Sequence, residues 1–263
     1  MIHRKCRIAE RQQVSDDTVI LTFEDEYVAK HAQPGQFVNI EAGQFLKRPF
    51  GVMDCDPEKG TFRIGIKKVG VGTEYLMGVG EGTELKVVGP LGNGFQFEGV
   101  HTVITCGGGT GVFPLYYVLK KHEEMFDRFA VVGFKNKEEA FYEKEHKELA
   151  ERCVYASDTG GLDFHGNAAQ ALEQLLEDLS AENYDFSRTA ILTCGPMPMM
   201  RAVANLAERY GVGCQVSLEE RMACGVGICL VCVCKIHGDD GVENQRCCHE
   251  GPVFFAEDVV WED

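Results

Sequence analysis

The sequence predicts a multidomain α+β protein: an all-strand barrel or sandwich, then an α/β unit on a parallel sheet, then a cysteine-rich segment. Three observations predict it. Residues 1–98 read as short strands separated by turn residues. Residues 99–214 alternate strands with helix-patterned stretches, the signature of a parallel sheet covered on both faces. Residues 215–263 carry closely spaced cysteines. The expected divisions are therefore 1–98, 99–214 and 215–263.

In the first part, extended runs fall at 6–10, 18–23, 36–40, 61–66 and 84–88. Pro34-Gly35, Asp56-Pro57, Glu58-Lys59-Gly60 and Gly80-Glu81-Gly82 separate them. Gly70-Val71-Gly72-Thr73 opens a short helix. Near Val100 the pattern changes. An apolar strand over 101–106 is followed by Gly107-Gly108-Gly109-Thr110-Gly111 and a helix from Val112 to about Glu124. A strand over 129–134 and a helix from about Lys137 to Arg152 come next. A strand at 153–156 precedes a helix over 167–179, whose Ala168, Ala171, Leu172, Leu175, Leu176 and Leu179 share one stripe. A strand at 189–194 and a helix after Pro198 complete the unit. At least two of Met197, Met199 and Met200 are expected to pack that helix. No internal repeat is present.

Composition narrows the function classes. The chain has 263 residues, enough for one or two domains, and 44% hydrophobic residues, enough for packed cores. Lys plus Arg number 26 against 41 Asp plus Glu, a net charge of −15. That balance argues against nucleic acid and anionic membranes as partners. No apolar run reaches the length of a membrane span. The segment Met1 to Arg7 lacks the apolar stretch of a signal peptide, so a cytoplasmic protein with reduced thiols is expected.

The cysteines carry the chemistry. Cys224, Cys229 and Cys232 form C-x4-C-x2-C, the plant-type ligand spacing of a [2Fe–2S] cluster. Gly225 and Gly227 let the backbone curl and turn N–H groups toward cluster sulfurs. Spacing leaves the fourth ligand open between Cys247 and Cys248. Structural zinc on Cys229, Cys232 and the Cys247-Cys248 pair is the plainer alternative, but zinc ribbons favour two C-x2-C knuckles. Cys6, Cys55, Cys106, Cys153, Cys194 and Cys214 are scattered and expected to be mostly buried small hydrophobes.

Two loops resemble anion sites. Gly107 to Gly111 joins a strand to a helix, where backbone N–H groups and the helix dipole favour a pyrophosphate. The spacing is not G-x-G-x-x-G, so an empty tight turn explains it nearly as well. Cys194-Gly195-Pro196 closes a later strand of the same sheet, and ligands bind at the carboxyl ends of such strands. The two loops are expected to face each other. In the first part, Arg48 of Arg48-Pro49-Phe50-Gly51 suits a diphosphate, although a lone strand arginine is more often simply solvated. Gly72-Thr73 suits a phosphate or an ordinary helix cap.

Taken in order, these motifs resemble the ferredoxin reductase-type flavoprotein superfamily. With the cysteine segment and Gly251-Pro252-Val253-Phe254, nearly the whole chain resembles the electron-transfer subunits of type B dihydroorotate dehydrogenase. The resemblance implies an antiparallel β-barrel holding FAD, a nucleotide domain for NAD, and a [2Fe–2S] segment. It implies that Arg48, Pro49, Phe50 and Gly51 line the flavin, that Gly65, Ile66 and Lys67 pass along it, and that Gly72 and Thr73 hold its phosphates. Gly107, Gly108, Gly109, Thr110, Gly111, Cys194, Gly195 and Pro196 fall to the nucleotide side. Cys248, directly before the run His249-Glu250-Gly251-Pro252 that matches the family's Lys-Asp-Gly-Pro-like run, is the implied fourth cluster ligand beside Cys224, Cys229 and Cys232. The family usually has serine where Gly51 stands, and residues 157–163 depart from its usual acidic-glycine loop.

The implied partner is an FMN-containing catalytic dihydroorotate dehydrogenase subunit, two of each chain forming a heterotetramer. Electrons from dihydroorotate would cross the cluster singly to FAD and leave as hydride to NAD+. No residue here need act as general acid or base. The rival is a flavin/iron–sulfur reductase subunit working between NAD(P)H and ferredoxin or sulfur compounds; Lys135 and Lys137 could meet an NADP 2′-phosphate, although solvated surface lysines explain them better. A zinc-stabilised binding module is the non-redox alternative.

Overall fold

A computed structural model describes residues 4–124, 127–239 and 241–261. Six strands close a barrel: β1 (Arg4–Ser15), β2 (Thr18–Glu24), β3 (Phe37–Ile40), β4 (Arg48–Asp56), β5 (Thr61–Lys67) and β6 (Glu84–Leu91). All neighbours are antiparallel, in the order β1-β2-β5-β4-β3-β6. Alternation puts Val19, Leu21, Phe23, Val38, Ile40, Ile64 and Ile66 in the barrel core. Closure removes the exposed edges an open sheet would present.

Two helices attach to the barrel. α1 (Glu26–His31) is capped by Asp25, whose Oδ1 accepts the Val28 N–H at 3.0 Å. Six residues are too few to show a helical period, so the sequence pattern does not announce it. α2 (Val71–Gly78) starts at Gly70-Val71-Gly72-Thr73 as expected.

The second sheet begins with β7 (Thr102–Gly108), α3 (Val112–Lys121), β8 (Asp127–Phe134), α4 (Glu143–Leu149), β9 (Arg152–Ser157) and β10 (Phe164–His165). It continues with α5 (Ala168–Ala181), β11 (Thr189–Cys194), α6 (Met197–Tyr210) and β12 (Gly213–Ser217). The last part contributes a hairpin of β13 (Val233–Gly238) and β14 (Gly241–Arg246), then β15 (Val253–Phe255). The sheet order is β10-β9-β8-β7-β11-β12-β15, parallel except for β15. Leu115 and Val118 of α3 pack one face with Val103 and Leu192. Leu172 and Leu175 of α5 and Val203 of α6 pack the other with Ile104 and Ile191. Met200 is buried and Met199 packs beside it, while Met197 is exposed.

One expectation needs correction. The helix read over about 137–152 is only a short turn at Lys137–Glu139 and the seven-residue α4. Between them Phe141 turns inward, its ring 5.0 Å from both Phe113 and Phe134. Tyr142 takes a left-handed φ of 60°. Burying that aromatic face outweighs helix propensity in a charged stretch.

The largest hydrophobic cluster crosses all three parts. It joins Phe37 and Leu91 from the barrel, the α5–α6 face of the sheet, and Cys232, Cys247 and Cys248.

Candidate functional site

The two glycine-rich loops meet. β7 and β11 pair in parallel with Gly107 opposite Cys194, so both loops leave the same end of the sheet. A Cβ on Gly111 would overlap the Cys194 carbonyl, and one on Gly195 would lie 3.0 Å from the Gly108 carbonyl oxygen. Only glycine permits this approach.

Beside the loops lies a cleft of about 560 Å³. Arg48, Pro49, Phe50 and Gly51 of β4 form one wall, and Gly65 and Lys67 of β5 extend it. Thr73, Thr110 and Cys194 also border it. Ile66 does not, because its side chain is buried in the barrel core. Gly72 sits under Arg48, where a Cβ would lie 3.1 Å from the Arg48 Nε. Gly107, Gly108, Gly109, Gly111, Gly195 and Pro196 stand outside the cleft lining.

The lining contains residues the sequence reading did not nominate. Phe113 and Pro114 of α3 press against Gly65 and Gly51. A Cβ at 51 would stand 3.2 Å from the Pro114 Cβ, so a small side chain fits only if Pro114 gives slightly. Ser217 to Met222 also line the cleft, and the chain reaches Cys224 two residues further on. No motif marks them; only their position just before the first clustered cysteine signals their place.

Charge in the cleft is uneven. Arg48 donates to the carbonyls of Leu46 and Lys47 at 3.3 Å, and among the described residues no carboxylate lies within ion-pair reach of it. Its guanidinium is therefore available to an anion. Lys67 is held by Glu139 at 2.5 Å and Asp17 at 3.5 Å. Burial opposes its charge, but these carboxylates hold its ammonium above the ordinary lysine range.

The clustered cysteines divide into two sets. Cys224 accepts the Val226 N–H at 3.4 Å, and Cys248 accepts the Gly227 N–H at 3.1 Å. Burial pushes the Cys224 thiol up, but the N–H groups of Val226, Cys229 and Ile228 outweigh it and bring it to about 6. Cys248 lies beside Cys232, and burial and that neighbour push it up to about 12. Cys247 is fully buried, and its thiol is raised first by hydrogen bonding with Cys234 and then by burial. Cys247 thus faces Cys234, while Cys248 faces the Cys224–Cys229 loop.

This donor set suits a cluster. Loop N–H groups already point at two sulfurs, the usual setting of an iron–sulfur centre. Among the described residues no three His, Cys, Asp or Glu side chains converge on one point as a single ion requires. The cleft likewise fits a flavin nucleotide in its arginine and its glycine-lined wall.

Comparison with known proteins identifies the lineage. Residues 219–260 match the model of the iron–sulfur cluster binding domain of dihydroorotate dehydrogenase B, and residues 5–96 match that of the oxidoreductase FAD-binding domain. The dihydroorotate dehydrogenase B (NAD(+)) electron transfer subunit of Caldanaerobacter subterraneus subsp. tengcongensis is 35% identical over 259 residues, 98% of each chain. That of Bacillus caldolyticus is 36% identical over 262 residues, 96% of each chain. The chain belongs to this family of electron transfer subunits. A chain of the NADH-dependent reduced ferredoxin-NADP oxidoreductase has the same fold, with a TM-score of 0.84 and 30% identity. That match covers 97% of this chain and 90% of the other. The ferredoxin reductase of carbazole 1,9a-dioxygenase, at 20% identity and a TM-score of 0.68, shares the fold over 80% of this chain and 66% of its own. Among the described residues no helix is long and apolar enough to cross a membrane.

Proposed function

We propose that this chain is the electron transfer subunit of an NAD-dependent dihydroorotate dehydrogenase in pyrimidine biosynthesis. It would take electrons from an FMN-containing catalytic subunit that oxidises dihydroorotate to orotate and deliver them to NAD+. The observation that carries this reading is one cleft bordered by Arg48 and Gly51 of the barrel, Cys194 of the parallel sheet, and Arg221 and Met222 leading into Cys224. When bound, a [2Fe–2S] centre handles single electrons and a flavin pairs them for hydride transfer.

The chain's own residues would hold and orient these groups. Cys224, Cys229, Cys232 and Cys248 are the proposed ligands in residues 215–263. Residues 1–98 would hold FAD, with Arg48 on the diphosphate, Thr73 at a phosphate, and Pro49 to Gly51 with Gly65 and Lys67 along the ring. Residues 99–214 would receive NAD at Gly107 to Gly111 and Cys194 to Pro196. Phe113 and Pro114 narrow the cleft and exclude water.

The partner would dock at the cysteine loop. Ile228 is 79% exposed and Leu230 62% exposed, on either side of the exposed Cys229. Apolar side chains held out beside a ligand suit a buried interface in the assembly. The proposed assembly is a heterotetramer of two catalytic and two electron-transfer chains, in the cytoplasm, where the twelve free cysteines would stay reduced. Co-expression with the organism's catalytic dihydroorotate dehydrogenase chain tests it. A stable complex that reduces NAD+ with dihydroorotate is expected; separate elution with no dihydroorotate-dependent NAD+ reduction overturns it.

The TM-score of 0.84 to a chain of the ferredoxin-NADP oxidoreductase favours a second reading, a reductase subunit serving ferredoxin and NADP(H). Reduction of NADP+ in preference to NAD+, with ferredoxin as donor, would support it.

A further inference from the structure

Asn39 on β3 occupies the junction between the barrel and the cysteine loop. Successive strand residues face opposite ways. Val38 and Ile40 enter the barrel core, so Phe37 and Asn39 face outward from it. Phe37 borders the cleft and packs in the cluster that holds Cys232 and Cys248. Asn39 pairs with Pro49 of the cleft wall and reaches across to Gly225, directly after Cys224. A Cβ on Gly225 would lie 2.5 Å from the Asn39 Nδ2. Gly225 has a φ of 70°, so the loop is shaped to let the amide come close.

This amide is 1% exposed, and among the described residues neither its Nδ2 nor its Oδ1 has a hydrogen-bond partner. Buried amides are nearly always satisfied, because leaving one unpaired is costly. The Nδ2 is the atom turned toward the cysteine loop, and it needs an acceptor there. Sulfur of a loaded iron–sulfur centre is such an acceptor.

We propose that Asn39 is a positioning residue for the iron–sulfur centre, its side-chain N–H bonding to a sulfur beside Cys224. The inference rests on the cluster reading above. Hydrogen bonds to cluster sulfur stabilise the added negative charge of the reduced state and so raise the reduction potential. Asn39 thereby links the wall of the flavin cleft to the electron entry point.

The test uses the anaerobically purified full chain in complex with its catalytic partner. Iron and acid-labile sulfide in the wild type first establish that a centre is present; their absence defeats the cluster reading, and the Asn39 proposal with it. Asn39→Leu then removes the donor while keeping the branched shape of the side chain. EPR-monitored titration is expected to give a lower midpoint with unchanged iron content. A tenfold change in the oxidised-to-reduced ratio corresponds to about 59 mV for one electron. An unchanged midpoint in an iron-replete variant overturns the proposal. A second measurement needs no variant: pulsed EPR of the reduced wild type grown with side-chain 15N-asparagine. A 15N coupling to the centre supports the bond. Where the variant loses its iron, absence of that coupling overturns the proposal.

Discussion

The backbone N–H of Gly227 donates to the Sγ of Cys248 at 3.1 Å, joining the two ends of the cysteine segment. Gly227 has a φ of 81°, and a Cβ there would lie 2.8 Å from the His249 ring. Arg246 fixes the same loop by donating to the Gly227 carbonyl at 2.6 Å and to Glu250 at 2.8 Å. The loop turns N–H groups rather than carbonyls toward sulfur.

Cys248→Ser is expected to lose most of the bound iron and acid-labile sulfide, whereas Cys247→Ser keeps both. Adjacent side chains leave the chain in different directions, and only Cys248 faces the Cys224–Cys229 loop. Iron and sulfide assays on the two variants decide it; equal loss in both contradicts the assignment.

Arg48→Ala is expected to weaken FAD binding without unfolding the barrel. Among the described residues its bonds are to local carbonyls, so little native structure depends on it. A charge-assisted bond to a diphosphate contributes about 1.5–3 kcal/mol, roughly 10- to 150-fold in affinity. Fluorescence of released flavin on dilution measures the loss.

A methyl group at position 65 would overlap the Phe113 ring. Gly65→Ala is expected to destabilise the protein by about 2 kcal/mol and to lower FAD content. Adding Phe113→Leu should recover part of both. Thermal melts and the flavin absorbance of purified protein provide the readings.

His146 sets a pH dependence of stability. It is buried, its Nδ1 is 2.9 Å from both the Tyr142 carbonyl and the Tyr155 hydroxyl, and burial lowers its pKa to about 4. The unfolded chain binds a proton near pH 6.5, while the folded chain does so only near 4. Stability from this group is complete above 6.5 and is lost as pH falls toward 4, by about 3 kcal/mol. Urea unfolding between pH 6.5 and 4.5 should show this slope in the wild type and a shallower one in His146→Leu.

Much of this architecture is legible in the sequence where a local signal suffices. The strand expected over 18–23 is β2 with one residue added, and the strand over 189–194 is β11. The apolar stripe from Ala168 to Leu179 is the buried face of α5. Non-local packing decides the rest. Phe141 breaks an expected helix because Phe113 and Phe134 are there to receive it. Ser217 to Met222 wall the cleft because β12 ends beside β11, which no local pattern foretells. The motif residues Arg48, Gly51, Thr73, Thr110 and Cys194 meet at one cleft although they span 147 positions, since barrel order and the β7–β11 pairing bring them together. Spacing alone leaves Cys247 and Cys248 equivalent; only the direction of each side chain separates them.

The most direct test is the cofactor content of the chain purified without oxygen. The account predicts about two irons, two acid-labile sulfides and one FAD per chain, with an EPR signal of a reduced [2Fe–2S] centre on adding NADH. Protein that contains zinc in place of iron, or that holds no flavin, would contradict it.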